Sequence, residues 1–252
     1  MAKKNFKCTA AYKGTPYYGW QRQNDFLTVQ GLIEYALEKH FGYRIRITGA
    51  SRTDAGVHAM GQVFNFFADT KLNACNVLPI LNNLLPEDIR IKSVEEVNVK
   101  FKARYNVKKK FYRYVICNSV SFPPFFRETA WHIDRRVDTE KMKEILPMFE
   151  GVKDYFSFSR SGSEAVRFER RIDKIKIQKK DRWIMIDFFG KGFLYQQIRR
   201  MAAVFAAYAS GDIKKDLIQE MFEKRDRNLF KESAPPQGLY LVKIIYERKY
   251  DV

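Results

Sequence analysis

The chain has 252 residues, 46% of them apolar, enough to bury the core of one large domain or two modest ones. Its 46 lysines and arginines against 29 acidic residues leave a formal charge of +17, and no apolar run is long enough to span a bilayer, so the expected polyanionic partner is nucleic acid rather than lipid. Cys8, Cys75 and Cys117 lie far apart and share no ligand spacing with His40, His58 and His132, so neither a disulfide framework nor a metal site is expected.

Met1-Ala2-Lys3-Lys4 leads straight into the alternation Phe6, Cys8, Ala10, Tyr12. That period of two predicts a strand where a secretory leader would need an apolar run, so a cytoplasmic protein is expected. Thr28 caps a predicted helix whose apolar face carries Val29, Leu32, Ile33, Ala36 and Leu37, with His40 at its edge. Strands follow at Arg44–Ile47 and Gln62–Phe67, then a helical Leu78–Leu84 segment and a strand at Ile89–Val97, giving the order β-α-β-β-α-β.

The second half echoes that order. It offers a strand at Phe111–Cys117, a helix from Thr139 toward Phe149, strands at Ile172–Ile177 and Trp183–Phe189, a helix from Phe193 to Ala209, a further helix after Asp212 and a last strand at Leu239–Tyr246. The expected fold is therefore α+β. Two split β-α-β halves of ferredoxin or RRM type, residues 1–107 and 108–252, would form one continuous, mostly antiparallel sheet with helices on one face and a central cleft. Gly190-Lys191-Gly192 lacks the further glycine and the lysine-hydroxyl pair of nucleotide-binding loops, and no cofactor is expected.

Between the strands at Arg44–Ile47 and Gln62–Phe67 lies Gly49-Ala-Ser-Arg-Thr-Asp-Ala-Gly-Val-His-Ala59, a small-residue connection with Arg52 two positions before Asp54. Gly49 and Gly56 are read as allowing backbone angles closed to other residues. An arginine a few ångströms from an aspartate favours its ionised form, which suits a nucleophile better than a proton donor. An arbitrary Arg-x-Asp is usually a turn cap beside a surface charge; here the surrounding string weighs against that reading. Histidine titrates in the range of a general base, but His58 lies four residues past the carboxylate, and orienting the loop or touching RNA is its expected part.

Gly-x-x-Arg-Thr-Asp-Ala-Gly-Val-His-Ala with Gly61-Gln62-Val63 resembles the signature of the TruA family of pseudouridine synthases. Further matches follow in the same order: Tyr18-Gly19-Trp20-Gln21-Arg22-Gln23 with Thr28-Val29-Gln30, Leu81–Ile89, Phe101–Tyr105, Lys110–Tyr114, Phe193-Leu194 with Arg199, and Ala234-Pro235 with Gly238–Leu241. The resemblance spans nearly the whole chain. It departs from the family pattern at Lys13, Ser51, Lys102 and Ala202-Ala203.

The resemblance implies a cofactor-free isomerase that turns uridine into pseudouridine in structured RNA, most often the anticodon stem-loop of tRNA, and that works as a homodimer. Asp54 would be the nucleophile, with Arg52 and Arg199 as its ion-pair partners. Tyr112 would stack under the base, and Thr53, His58 and Lys110 would lie beside the substrate. A carboxylate could add to the anomeric carbon or to the base, or could remove a sugar proton to give a glycal, and the sequence does not choose among these. The base must leave its stack in any case, at a cost of about a few kcal/mol.

The densest basic ground, Arg167–Arg171 through Lys180 with Lys108–Lys110 and Arg135-Arg136, is assigned in part to phosphate contacts. The alternatives are a divergent paralogue acting on ribosomal RNA and a non-catalytic RNA binder using Phe64, Phe66 and Phe67 as stacking platforms. A metal-dependent nuclease would want several clustered acids, and the loop supplies one.

Overall fold

A computed structural model describes residues 3–162 and 165–247. They form a mixed α+β fold with five α-helices and mostly antiparallel strand pairing. The first elements are β1 (Lys3–Tyr12), α1 (Val29–Phe41), β2 (Thr48–Gly49), β3 (His58–Asp69), α2 (Ala74–Leu84) and β4 (Ile89–Val97). Then come β5 (Val107–Asn118), β6 (Trp131–Ile133), α3 (Thr139–Glu144), β7 (Gly151–Asp154), β8 (Glu169–Lys180) and β9 (Trp183–Gly190). The chain closes with α4 (Gln197–Ser210), α5 (Lys215–Lys224) and β10 (Leu239–Tyr246). It packs as two compact units: residues up to Lys110 together with those from Tyr240 onward, and Phe111–Leu239.

In the first unit β1 pairs antiparallel with both β3 and β4, and β10 runs parallel to β3 with Tyr240 opposite His58. The alternation read in β1 is the observed one, since Phe6, Cys8, Ala10 and Tyr12 are all buried. Thr28 caps α1 by accepting the Gly31 N–H, and Gly42 ends the helix at φ 76°. Ile33, Ala36 and Leu37 of α1 are buried with Phe6, Phe64 and Phe66 in the core of this unit.

In the second unit β8 pairs antiparallel with both β7 and β9. Its core is aromatic: Phe149 packs edge-on against Phe158, Phe205 and Phe222 at ring distances of 5.1, 4.8 and 5.3 Å. α4 supplies Met201, Ala202, Val204 and Phe205 to it.

Several elements differ from the sequence expectation for identifiable reasons. Residues 44–47 alternate in burial as a strand would, but the Ile47 N–H donates to Glu34 Oε1 at 3.1 Å and the Ile47 carbonyl accepts from Gln30, so helix side chains take the bonds a neighbouring strand would make. Only Thr48 and Gly49 enter a ladder. The helix from Thr139 stops at Glu144 and tightens into a 3-10 turn at Leu146–Met148, where Pro147 has no N–H to give. α4 begins at Gln197 rather than Phe193, because Gln196 stands in the left-handed region at φ 56° and the Leu194 N–H bonds the Gln197 side chain. Lys108–Lys110, at the expected start of the second half, lie within β5.

Candidate active site

Backbone hydrogen bonds hold the loop from Ala50 to Val57 on the first unit. Ala50 N–H donates to the Val63 carbonyl at 2.8 Å and Trp20 N–H to the Thr53 carbonyl at 3.1 Å. Gly56 N–H reaches the Tyr17 carbonyl at 3.2 Å, and Val57 N–H closes a turn onto the Asp54 carbonyl at 3.1 Å. Gly56 stands at φ 77° in the third position of that turn, the left-handed geometry of a type II turn. Gly49 does not: its φ is ordinary, and the reason for glycine there is that a Cβ would run into the Trp20 indole.

Side chains complete the clamp. The Tyr12 and Thr53 hydroxyls share a buried hydrogen bond of 2.8 Å, and Gln62 Nε2 donates to the Ser51 carbonyl at 2.6 Å. Tyr17 donates its phenol to Asp88, which with burial pushes that phenol upward. Ser51 and Thr53 are buried, Arg52 is exposed, and Asp54 is half-buried at the turn. Buried Ser51 and Thr53 thus anchor the loop, while Arg52 and Asp54 are the less buried side chains beside them.

Lys110, at the first-unit end of β5, turns its ammonium into this loop and donates to the Ala50 carbonyl at 2.9 Å and to Ser51 Oγ at 3.0 Å. Burial, with the Arg104 guanidinium nearby, holds that ammonium down to about 8. Ser51, a departure from the family pattern, is therefore the hydroxyl that Lys110 uses. His58 is buried, accepts the Gly14 N–H on Nδ1 at 3.0 Å, and stacks on Tyr240 with ring centroids 4.8 Å apart. Its ring ties β3, β10 and the Lys13-Gly14 turn together.

The second unit carries the other two residues singled out in the sequence. Tyr112 on β5 is buried and meets Phe193 edge-on at 5.4 Å. Arg199, in the first turn of α4, donates Nε to the Ala234 carbonyl at 2.8 Å, while Ala234 N–H donates back to the Arg199 carbonyl at 3.1 Å. Tyr114, two residues along the same face of β5, donates to the Pro235 carbonyl at 2.7 Å, and burial pushes its phenol well up. The motif residues Ala234 and Pro235 thus fix Arg199 and Tyr114 through their backbone carbonyls.

Sequence reasoning missed Tyr12, Tyr17, Gln62 and Tyr114 as supports of the site. Tyr12 and Tyr114 read as ordinary alternating strand residues, and only the partner across the fold reveals their hydroxyls' use. The stacking platforms proposed at Phe64 and Phe66 are corrected: both are fully buried in the core, because β3 lies between β1 and β10 and is covered on both faces. Among the described residues no cluster of three or more His, Cys, Asp or Glu could hold a metal ion, and no helix is long and apolar enough to cross a membrane.

A family model described as tRNA pseudouridine synthase matches residues 9–106 and 145–247. The chain is 37% identical over 243 residues to tRNA pseudouridine synthase A of Thermoanaerobacter sp. (strain X514), covering 96% of this chain and all of that protein. It is 38% identical over 245 residues to the protein of that name from Geobacillus sp. (strain WCH70), covering 97% and 99%. With tRNA pseudouridine synthase A 2 of Bacillus anthracis it shares 36% over 238 residues, covering 94% and 97%. Among solved structures, a Cbf5-Nop10-Gar1 complex aligns with 80% of this chain and 54% of its own at 11% identity and a TM-score of 0.34, a loose likeness.

Proposed function

The chain belongs to the tRNA pseudouridine synthase family, and we propose that it isomerises uridine in the anticodon stem-loop of tRNA with Asp54 as the nucleophile. The observation that carries this reading is the held Arg52-Thr53-Asp54 loop: Thr53 is buried and bonded on both its hydroxyl and its carbonyl, so the flanking arginine and aspartate are displayed on a fixed frame. A pre-placed carboxylate spends little of the binding energy on its own ordering.

In this reading the substrate uridine is bound at the Arg52-Thr53-Asp54 loop of the first unit. Arg52 and Arg199 keep Asp54 ionised in the complex with RNA, each charged contact contributing about 1.5–3 kcal/mol. Tyr112 supports the extruded uracil, whose removal from the stack costs about a few kcal/mol that phosphate contacts elsewhere must offset. Lys110 and His58 act on the substrate through the loop they hold, and Thr53 sets the height of its neighbours. The reaction moves the uracil from N1 to C5 on the same sugar, so atoms and electrons balance within the substrate. The working form is a cytoplasmic homodimer.

Mapping pseudouridine by carbodiimide and primer extension, on bulk RNA lacking the modification and incubated with the protein, tests the assignment. Stops within the anticodon stem-loop of tRNA are expected; stops confined to ribosomal RNA would overturn the substrate. Sedimentation at micromolar concentration tests the dimer, and a mass of 29.8 kDa would refute it.

A further inference from the structure

In the second unit the guanidinium groups of Arg160, Arg200 and Arg227 interact, and among the described residues no acid pairs with them. Arg200, buried at 4% exposure on α4, gives its N–H groups to main-chain carbonyls alone: Ser157 and Arg227 at 3.0 Å each, Lys231 at 3.3 Å, and Phe230. Arg227 lies over the Phe156 ring at 3.8 Å and the Phe168 ring at 5.4 Å, and its Nε donates to the Ser159 carbonyl at 3.0 Å. Arg160 follows Ser159, is exposed, and donates its main-chain N–H to the Tyr195 carbonyl just before α4.

Among the described residues no carboxylate pairs with any of the three, whereas neighbouring Arg225 is paired with Asp154 at 3.0 Å. Arg160 and Arg227 repel Arg200 strongly enough, on top of its burial, to lower its proton affinity. A buried cation balanced only by carbonyl dipoles is costly, and an anion at the open side of the cluster would offset that cost. Among the described residues neither Arg227 NH1 nor the Arg160 guanidinium has a protein acceptor. Two aromatic rings hold the Arg227 plane in a fixed attitude, which suits bidentate phosphate recognition.

We propose that Arg160 and Arg227, with Arg200 behind them, form a phosphodiester-binding site for the RNA substrate at the N-terminal end of α4. The proposal rests on the reading of the substrate as tRNA. Its position beside the turn that carries Arg199 suits a phosphate close to the reacting nucleotide rather than a distant stem.

Equilibrium binding of unmodified tRNA over a salt series tests it, with pseudouridine formation by the wild type measured on the same RNA. Arg160→Gln is expected to weaken binding about five- to tenfold and to lower the slope of log K against log salt by about one. Arg160→Lys should recover most of the affinity, and Lys224→Gln, which removes an exposed charge paired with Glu220, should change neither quantity. Affinity and slope unchanged in Arg160→Gln would overturn the site while leaving the enzyme's reaction intact. No pseudouridine from the wild type would instead overturn the reaction and leave the binding result to judge the site.

Discussion

The main-chain N–H of Trp20 donates to the carbonyl of Thr53 at 3.1 Å, one residue before the proposed nucleophile. Two motifs, joined through residues thirty-three apart, are thereby one structural device. The Trp20 carbonyl in turn accepts the Gln30 N–H at 3.0 Å, so the Asp54 loop hangs from the first turn of α1 through a single residue.

Gly19 makes this approach possible. It stands at φ 84°, and a Cβ there would overlap the Thr53 carbonyl. Gly19→Ala is expected to cost about 1–3 kcal/mol of stability from backbone strain alone, with a further loss of turnover as Thr53 is pushed away. Urea unfolding and single-turnover rates measure the two effects. A variant as stable and as fast as the wild type would remove the clamp from the description.

The Tyr12–Thr53 hydroxyl pair gives a second test. Leaving either buried hydroxyl without its partner costs about 1–3 kcal/mol, so Tyr12→Phe and Thr53→Val should each destabilise by that order. Because the two changes break the same bond, the double variant should lose less than the two single losses combined, which a double-mutant cycle of unfolding free energies reads directly. Strict additivity would mean that the hydrogen bond carries no energy.

Lys110 makes stability depend on pH with a definite sign. Its ammonium is held near 8 in the fold against an ordinary 10.5, so between those values the unfolded chain binds the proton that the folded chain has released. Stability contributed by this group therefore rises with pH from about 8 toward 10.5, and the strain of keeping the charge is fully present below 8. Lys110→Met should flatten the rise between pH 8 and 10. An identical pH slope in both proteins would show that the ammonium is not held in the interior as described.

Much of this was legible in the sequence, and what was not has physical reasons. The strands of β1, β4 and β10 and the Thr28 cap of α1 could be read because period-two burial and side-chain capping are local signals. The failure at residues 44–47 was one of partner rather than conformation: alternation reports two faces, not whether a strand or the side chains of Gln30 and Glu34 satisfy the backbone. Asp54 and Arg52 stood out because small residues surround them. Tyr114 could not, since its role depends on the Pro235 carbonyl 121 residues away. The arginine cluster at 160, 200 and 227 was likewise invisible, its members being far apart in the sequence.

Arg199→Lys separates charge from geometry. Lysine keeps the positive charge but cannot hold the Ala234 carbonyl through Nε while aiming a planar fork elsewhere. Turnover should fall by about tenfold or more, with tRNA affinity changed much less, the pattern of an interaction stronger in the transition state than in the ground state. Equal losses in affinity and turnover would instead make Arg199 a general RNA contact.

The most direct measurement compares the wild type with Asp54→Asn on one tRNA lacking pseudouridine, recording both conversion and binding. The expected result is pseudouridine from the wild type alone, at matched affinity for the RNA. Conversion by Asp54→Asn at the wild-type rate would contradict the assignment of Asp54 as the nucleophile.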